Sequence, residues 1–209
     1  MKKNTVILST QHPQALSAAL NVIALGGLIV FPTDTLYGLA ADPTNPQAIK
    51  DIYTAKERSI EKAIPILIGS IDHLDLITYE ADPKIIKLAT HFWPGALTLV
   101  LKKKPGLPME LSQTETLGIR MPAHPFALSL LQKTGPLATT SANLSGAPDP
   151  LSAGEVLLQL DGRVDLILDG GMTAGGKAST VVDCTGRELV ILREGPVTLA
   201  ELNQIWNEP

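Results

Sequence analysis

Three cations, Lys56, Arg58 and Lys62, fall within seven positions, downstream of a hydroxyl-rich Thr33-Asp34-Thr35 that breaks the apolar run Leu28 to Phe31. A forked guanidinium flanked by lysine point charges suits a carboxylate or a phosphate. Each charge-assisted bond of that kind contributes about 1.5–3 kcal/mol. The same charges also fit a solvated helix end, where the dipole attracts cations. Thr33-Asp34-Thr35 with Tyr37-Gly38 fits a ligand-facing loop at a strand end, or a polar turn in which Asp34 bonds its own backbone.

Further along, Arg120 sits in the apolar run Gly118-Ile119-Arg120-Met121. Arginine is almost never buried without a partner, so it either pairs with a structural carboxylate or faces a ligand anion. Thr139-Thr140-Ser141-Ala142-Asn143 follows a strand-like segment, with Gly146 close behind. Hydroxyls, an amide and backbone N–H groups there could donate to phosphate oxygens, and a plain hydroxyl-rich turn is the alternative. Gly170 to Thr180 comes within one residue of a phosphate-binding P-loop, but Ala178 stands where a magnesium-binding hydroxyl is needed. The following Thr180-Val-Val-Asp-Cys is strand-like, so the P-loop is rejected in favour of a glycine loop presenting Ser179 and Thr180. Arg193, at the end of the last strand, is weak by itself because Glu194 could satisfy it.

The elements that must position these residues alternate. Strands are predicted at 6–8, 28–31, 64–68, 96–101, 117–121, 137–140, 164–168, 180–184 and 189–192. Helices are predicted at 13–25, 46–56, 83–92, 125–134, 153–160 and 199–206. Asn45-Pro46, Asp82-Pro83 and His124-Pro125 read as caps with a first-turn proline, Ser152 reads as a cap, and Thr198-Leu-Ala-Glu201 reads as a capping box. Alternation of strands and helices predicts an α/β fold with helices packed on a twisted sheet. The late strands follow one another quickly, so the sheet is expected to be mixed. No repeat or long linker divides the 209 residues, which predicts a single domain over 1–209.

Composition narrows the function classes. One cysteine, Cys184, excludes an internal disulfide and any CxxC motif. The four histidines lack metal-helix spacing, so no protein metal site is expected. No apolar run reaches the roughly 18 residues of a spanning helix, and the N-terminus lacks a signal pattern, which together predict a cytoplasmic protein without membrane contact. A formal net charge of −4 argues against tight nonspecific nucleic-acid binding, while leaving room for a local basic cleft.

Taken in order, Phe31-Pro-Thr-Asp-Thr-Leu-Tyr-Gly-Leu, Lys56-x-Arg58, Trp93-Pro-Gly-Ala-Leu-Thr, Ile119-Arg-Met-Pro-Ala-His-Pro, Thr140-Ser-Ala-Asn, Ser179-Thr-Val-Val-Asp and Leu192-Arg-x-Gly-Pro resemble the YrdC-like family of threonylcarbamoyl-AMP synthases. The resemblance runs from about residue 12 to residue 201, and seven motifs in register make it specific. It departs at Ser59 and at Lys62-Ala63, where the family often carries proline, and the chain resembles the family's short form. The resemblance implies a large concave basic cleft and the condensation of L-threonine, bicarbonate or CO₂, and ATP to threonylcarbamoyl-AMP and pyrophosphate. Partner enzymes would then pass the group to tRNA adenosine 37. It implies a threonine pocket of Thr33, Arg58, Thr116, Arg120 and Ser179, and an ATP site of Lys56, Arg58, Thr139, Ser141, Asn143 and Arg193. No covalent nucleophile is expected, magnesium is expected to ride in on ATP, and the Gly170 to Lys177 loop is expected to act as a mobile cover. For the synthase, RNA contact is expected to be weak at most. Rival readings are a double-stranded RNA- or ribosome-associated binding module without catalysis, and a carbamoyl-transfer domain of the hydrogenase-maturation type.

Overall fold

The computed structural model describes residues 3–79, 82–173 and 177–207. The strands are β1 (Val6–Ser9), β2 (Ile29–Pro32), β3 (Tyr37–Ala41), β4 (Ile66–Leu67), β5 (Leu97–Lys102), β6 (Thr116–Arg120), β7 (Leu137–Ser141), β8 (Leu166–Asp169), β9 (Thr180–Asp183) and β10 (Val190–Arg193). The helices are α1 (Ala15–Ala24), α2 (Pro46–Lys56), α3 (Leu74–Ile77), α4 (Pro83–Phe92), α5 (Pro125–Thr134), α6 (Ala153–Leu160) and α7 (Leu199–Asn207). All ten strands join one sheet in the order β1-β8-β2-β3-β7-β4-β6-β5-β9-β10. Pairing is mixed, as expected: β1–β8, β2–β8, β4–β6 and β5–β9 run parallel, and the others antiparallel. The antiparallel pairs begin at β2–β3 and are not confined to the late strands.

The predicted caps form. Asn45 accepts from the Gln47 and Ala48 amides at 3.0 and 3.2 Å, with Pro46 opening α2. Asp82 accepts from the Lys84 amide at 2.8 Å. At α7, Thr198 and Glu201 cap each other's backbone N–H groups. Two expectations need correction. The segment 64–68 pairs as a strand only at Ile66–Leu67: the Ile64 amide turns to the Leu111 carbonyl, and the Ile68 amide makes a last bond to Arg120 of β6. The strand β3 was not expected at all: Tyr-Gly-Leu-Ala-Ala is rich in small residues of low strand propensity. Burial on both faces overrides that propensity, and all five residues are buried between β2 and β7.

The two sheet faces are covered unequally. On one, Leu39, Ile66, Leu97, Leu99, Leu117, Ile119 and Val182 join the core that includes residues of α2, α4, α6 and α7. On the other, Phe31, Ala40, Leu67 and Leu137 join the smaller core of α1 and α5. Successive strand residues face opposite ways, so Gly38, Thr98, Val100, Gly118, Arg120 and Val181 share the second face. Helices α1 and α5 contact β2, and α1 also contacts β8. The face of β3 through β9 carries a hollow instead of a helix.

Replacing Asn45 by alanine removes a cap with two acceptor bonds and is expected to lower unfolding free energy by about 1 kcal/mol. Urea denaturation checks this, and an unchanged midpoint would show that the cap contributes nothing.

Candidate active site

A cavity of about 450 Å³ opens on the uncovered face. Its wall includes the expected threonine- and ATP-site residues Thr33, Arg58, Arg120, Thr139, Ser141, Ser179 and Arg193, together with Thr35, Tyr37, Gly38 and Thr140 of the loop and hydroxyl clusters singled out in the sequence, and Thr98, Gly118 and Asp149, which had no site role in the sequence reading. Two glycines make room for it. A Cβ on Gly38 would lie 2.8 Å from Thr139 Cγ2, and one on Gly118 would lie 3.1 Å from Thr98 Cγ2.

Arg120 is only 6% exposed. Its Nε donates to the Gly95 carbonyl at 2.8 Å, Nη1 to Thr35 Oγ1 at 2.8 Å and Nη2 to Asp34 Oδ1 at 2.5 Å. Among the described residues, three of its five N–H groups are thus engaged, leaving one on each terminal nitrogen. Both readings of this residue therefore hold: it has a structural carboxylate, and it lines the hollow. Burial pulls its pKa down, and Asp34 opposes that shift.

Asp34 does not bond its own backbone in a turn. Thr33 does that work: its hydroxyl donates to the Leu36 carbonyl at 2.7 Å and accepts from the Thr35 and Leu36 amides at 3.2 Å. The predicted ligand loop is therefore the turn of the β2–β3 hairpin, and Thr33 is 4% exposed within it.

Lys56 closes α2 and is 1% exposed. Its ammonium donates to the Ser141 carbonyl, to the Asn143 carbonyl at 2.5 Å and to Asn143 Oδ1 at 2.9 Å. An ammonium has three donors, so all are used, and Lys56 is absent from the cavity wall. The same Asn143 oxygen accepts from the Ser141 hydroxyl at 2.6 Å, and Asn143 Nδ2 donates to the Ala147 carbonyl at 2.7 Å. Lys56 and Asn143 hold the turn that presents Ser141. Burial pulls the Lys56 pKa down to about 7, with Arg58 acting in the same direction, whereas three acceptors favour the charged form.

Glu57, next in the chain, adopts a left-handed φ of 52°. This turns the chain so that Lys56 points inward while Arg58 reaches the cavity wall. Arg58 Nη2 donates to the Ala63 carbonyl at 3.1 Å, within the loop that departs from the family pattern. Lys62 is exposed, lies off the cavity wall and offers its carbonyl to Tyr53 at 3.1 Å.

The far wall is built by β5, β9 and β10. Ser179 is 4% exposed, and its hydroxyl lies 2.8 Å from that of Thr98. Arg193 donates through Nε and Nη2 to the Ser179 carbonyl at 3.1 and 2.9 Å, so Ser179 rather than Glu194 satisfies it. Gly195 lets β10 approach, because a Cβ there would lie 2.1 Å from the Thr180 amide nitrogen. Thr116 shares the face of Gly118 and Arg120 along β6 but stands beyond the cavity wall, 3.0 Å from the Thr114 hydroxyl. In the glycine loop, residues 174–176 lie outside the described residues. Its start is tied down, with the Tyr37 hydroxyl donating to the Gly171 carbonyl at 2.7 Å and accepting from the Gly170 amide at 3.1 Å.

The alternation Leu97-Thr98-Leu99-Val100-Leu101 was the signal for Thr98: a polar residue at the out-of-phase positions of a strand whose apolar face is already committed. Gly118 stands at the matching out-of-phase position of Leu117-Gly118-Ile119-Arg120, whereas Asp149 carried no comparable pattern.

The structure is an α/β sheet with one face opened into an arginine- and hydroxyl-lined hollow whose chemistry suits small anions. The matching family model is the one for Sua5, YciO and YrdC, described as "Telomere recombination", over residues 21–195. The chain belongs to this family. It is 42% identical over 201 residues to "Threonylcarbamoyl-AMP synthase" of Bacillus subtilis (strain 168), covering 95% of this chain but 58% of that relative. It is 36% identical over 196 residues to a Mycobacterium tuberculosis relative, covering 93% of this chain and 90% of that protein. The solved structure of P. abyssi Sua5 complexed with L-threonine superposes with a TM-score of 0.89 at 37% identity, covering all of this chain and 62% of that one. The chain therefore spans somewhat over half of the B. subtilis relative and of the P. abyssi chain.

The Lys56 environment sets a pH dependence. Its folded pKa lies below the unfolded value of about 10.5, so the unfolded chain holds the extra proton between about pH 7 and 10.5. The penalty for burying the charge is complete below pH 7 and is relieved as pH rises. The stability of the protein minus that of Lys56→Met is expected to increase over that window, measured by denaturation at several pH values. A flat or falling difference contradicts the shift.

Proposed function

We propose that the protein is an L-threonylcarbamoyladenylate synthase, condensing L-threonine, bicarbonate or CO₂, and ATP to threonylcarbamoyl-AMP and pyrophosphate. One observation carries this reading: Arg58, Arg120, Ser141 and Arg193, dispersed over more than half the sequence, line one cavity. The similarity to the B. subtilis threonylcarbamoyl-AMP synthase and to P. abyssi Sua5 in complex with L-threonine supports it.

Arg120 offers its free N–H groups to the threonine carboxylate, beside the Ser179 and Thr98 hydroxyls. Arg58 and Arg193 face the phosphates, together with the Ser141 hydroxyl and Thr139. The threonine nitrogen attacks CO₂, losing a proton as the N–C bond forms. A carbamate oxygen then attacks the α-phosphorus, and pyrophosphate leaves with the bonding pair of the broken P–O bond. Fixed cations stabilise the charge moving onto pyrophosphate, and the walls hold the carbamate in line. Nothing in this sequence of steps requires a covalent nucleophile.

Magnesium would neutralise phosphate charge. Arginines and hydroxyls with a single wall carboxylate suit an ion carried by the phosphates better than one held by the protein. No described helix is long and apolar enough to cross a membrane, in keeping with a cytoplasmic site of action. The product would pass to tRNA threonylcarbamoyl-transfer proteins, with RNA contacted weakly if at all. The RNA-binding alternative is not favoured: about 450 Å³ is the volume of a small-molecule pocket, not of a duplex groove.

Pyrophosphate release from ATP is expected only when threonine and bicarbonate are both present, followed by a coupled pyrophosphate assay. Output that ignores the omission of threonine contradicts the reading. Arg58→Ala is expected to reduce turnover at least about tenfold with an unchanged circular-dichroism spectrum; full activity would remove Arg58 from the site.

A further inference from the structure

Among the described residues that line the cavity, Asp149 is the one carboxylate. It is exposed, and no hydrogen bond or ion pair within the described chain engages it. Its backbone, by contrast, is held firmly. Asp149 stands between Pro148 and Pro150; proline fixes its own φ, and the residue before a proline is confined to extended conformations. The segment is anchored after Asp149 by the Leu151 amide, which donates to Glu155 Oε2 at 2.7 Å, and before it by two carbonyls. Ala147 accepts from Asn143 Nδ2 at 2.7 Å, and Pro148 accepts from Gln159 Nε2 of α6 at 3.1 Å. The buried Lys56 that fixes Asn143 thereby also fixes the point from which Asp149 enters the cavity. A free carboxylate presented from a stiffened backbone is a preorganised acceptor.

We propose that Asp149 selects the nucleotide in this cleft by accepting hydrogen bonds from the vicinal 2′- and 3′-hydroxyls of the ATP ribose, an inference that rests on the synthase reading. A carboxylate accepts two hydroxyls at once, the usual solution for a ribose diol, and its charge repels phosphates. The nucleotide is thereby oriented, phosphates toward the arginines and sugar toward Asp149. The placement within the cleft agrees. Asp149 acts electrostatically on Lys56, which holds the turn that presents Ser141, and on Arg193 across the cavity. Asp34 acts on Arg120 at the amino-acid side. The two carboxylates thus belong to different ends of the site, and the α-ammonium of threonine is not the group assigned to Asp149.

The test is isothermal titration of ATP, 2′-deoxyATP, 3′-deoxyATP, pyrophosphate and threonine into the unaltered protein and into Asp149→Ala and Asp149→Asn. The unaltered protein is expected to prefer ATP over both deoxynucleotides. Asp149→Ala is expected to weaken ATP about tenfold or more, to change each deoxynucleotide by less, and to leave pyrophosphate unchanged or tighter. Asp149→Asn, which keeps one acceptor oxygen, is expected to fall between. Equal weakening of all three nucleotides overturns the proposal, as does tightening of all three, which would mean that Asp149 only repels phosphate. A selective loss of threonine binding would assign the carboxylate to the ammonium and overturn it too. If the unaltered protein binds no ATP, the synthase reading itself fails; if it binds ATP without preferring the ribose hydroxyls, only this inference fails.

Discussion

A guanidinium that is nine-tenths buried in a β-strand has to be satisfied, and the way Arg120 is satisfied organises the site. Its three engaged N–H groups reach the β2–β3 turn through Asp34 and Thr35, and the Trp93-to-Ala96 turn through the Gly95 carbonyl. Segments at positions 34, 95 and 120 are thereby locked together at one end of the hollow. Burial of a charge without such partners would cost several kcal/mol, and removing one partner of a buried pair typically costs about 3–5 kcal/mol. The arrangement leaves two N–H directions uncommitted on a side chain that cannot move to meet water. A cation fixed this way needs little reorganisation when an anion arrives.

Lys56 uses the same physics at the other end. Its three protons hold Ser141 and Asn143, and through Asn143 the Ala147 carbonyl. Here the charge is wholly internal, and what faces the cavity is the hydroxyl of Ser141. The motif of two cations separated by Glu57 therefore divides its labour. The first supports the wall, the second lines it, and the left-handed residue between them sends them different ways. Arg193 is intermediate, anchored on Ser179 while lining the cavity itself.

Much of this was legible in the sequence because the relevant signals were local. Proline after an Asn, Asp or His cap marked three helix starts, and the capping box at Thr198 marked a fourth. Cation and hydroxyl clusters marked the cavity because few other roles suit an arginine inside an apolar strand. What failed to show depended on tertiary context. The strand β3 has the composition of a loop and becomes a strand only because β2 and β7 enclose it. Lys56 could not be told from a ligand-facing lysine, since its acceptors lie about 85 residues away in sequence. Asp149 lies between two prolines with no periodic pattern around it, and only the cavity gives it a setting. Alternation along β5 and β6 could have revealed Thr98 and Gly118, had the out-of-phase positions been read as an open face.

The proposed synthase requires one hollow on the uncovered sheet face to receive both the amino acid and the nucleotide. A crystal structure of the protein with ATP and threonine bound together tests this directly. The account predicts both ligands in the single cavity, the amino-acid carboxylate on Arg120 and the phosphates on Arg58 and Arg193. Either ligand seated on another face, or Arg120 making no contact with the amino acid, would contradict it.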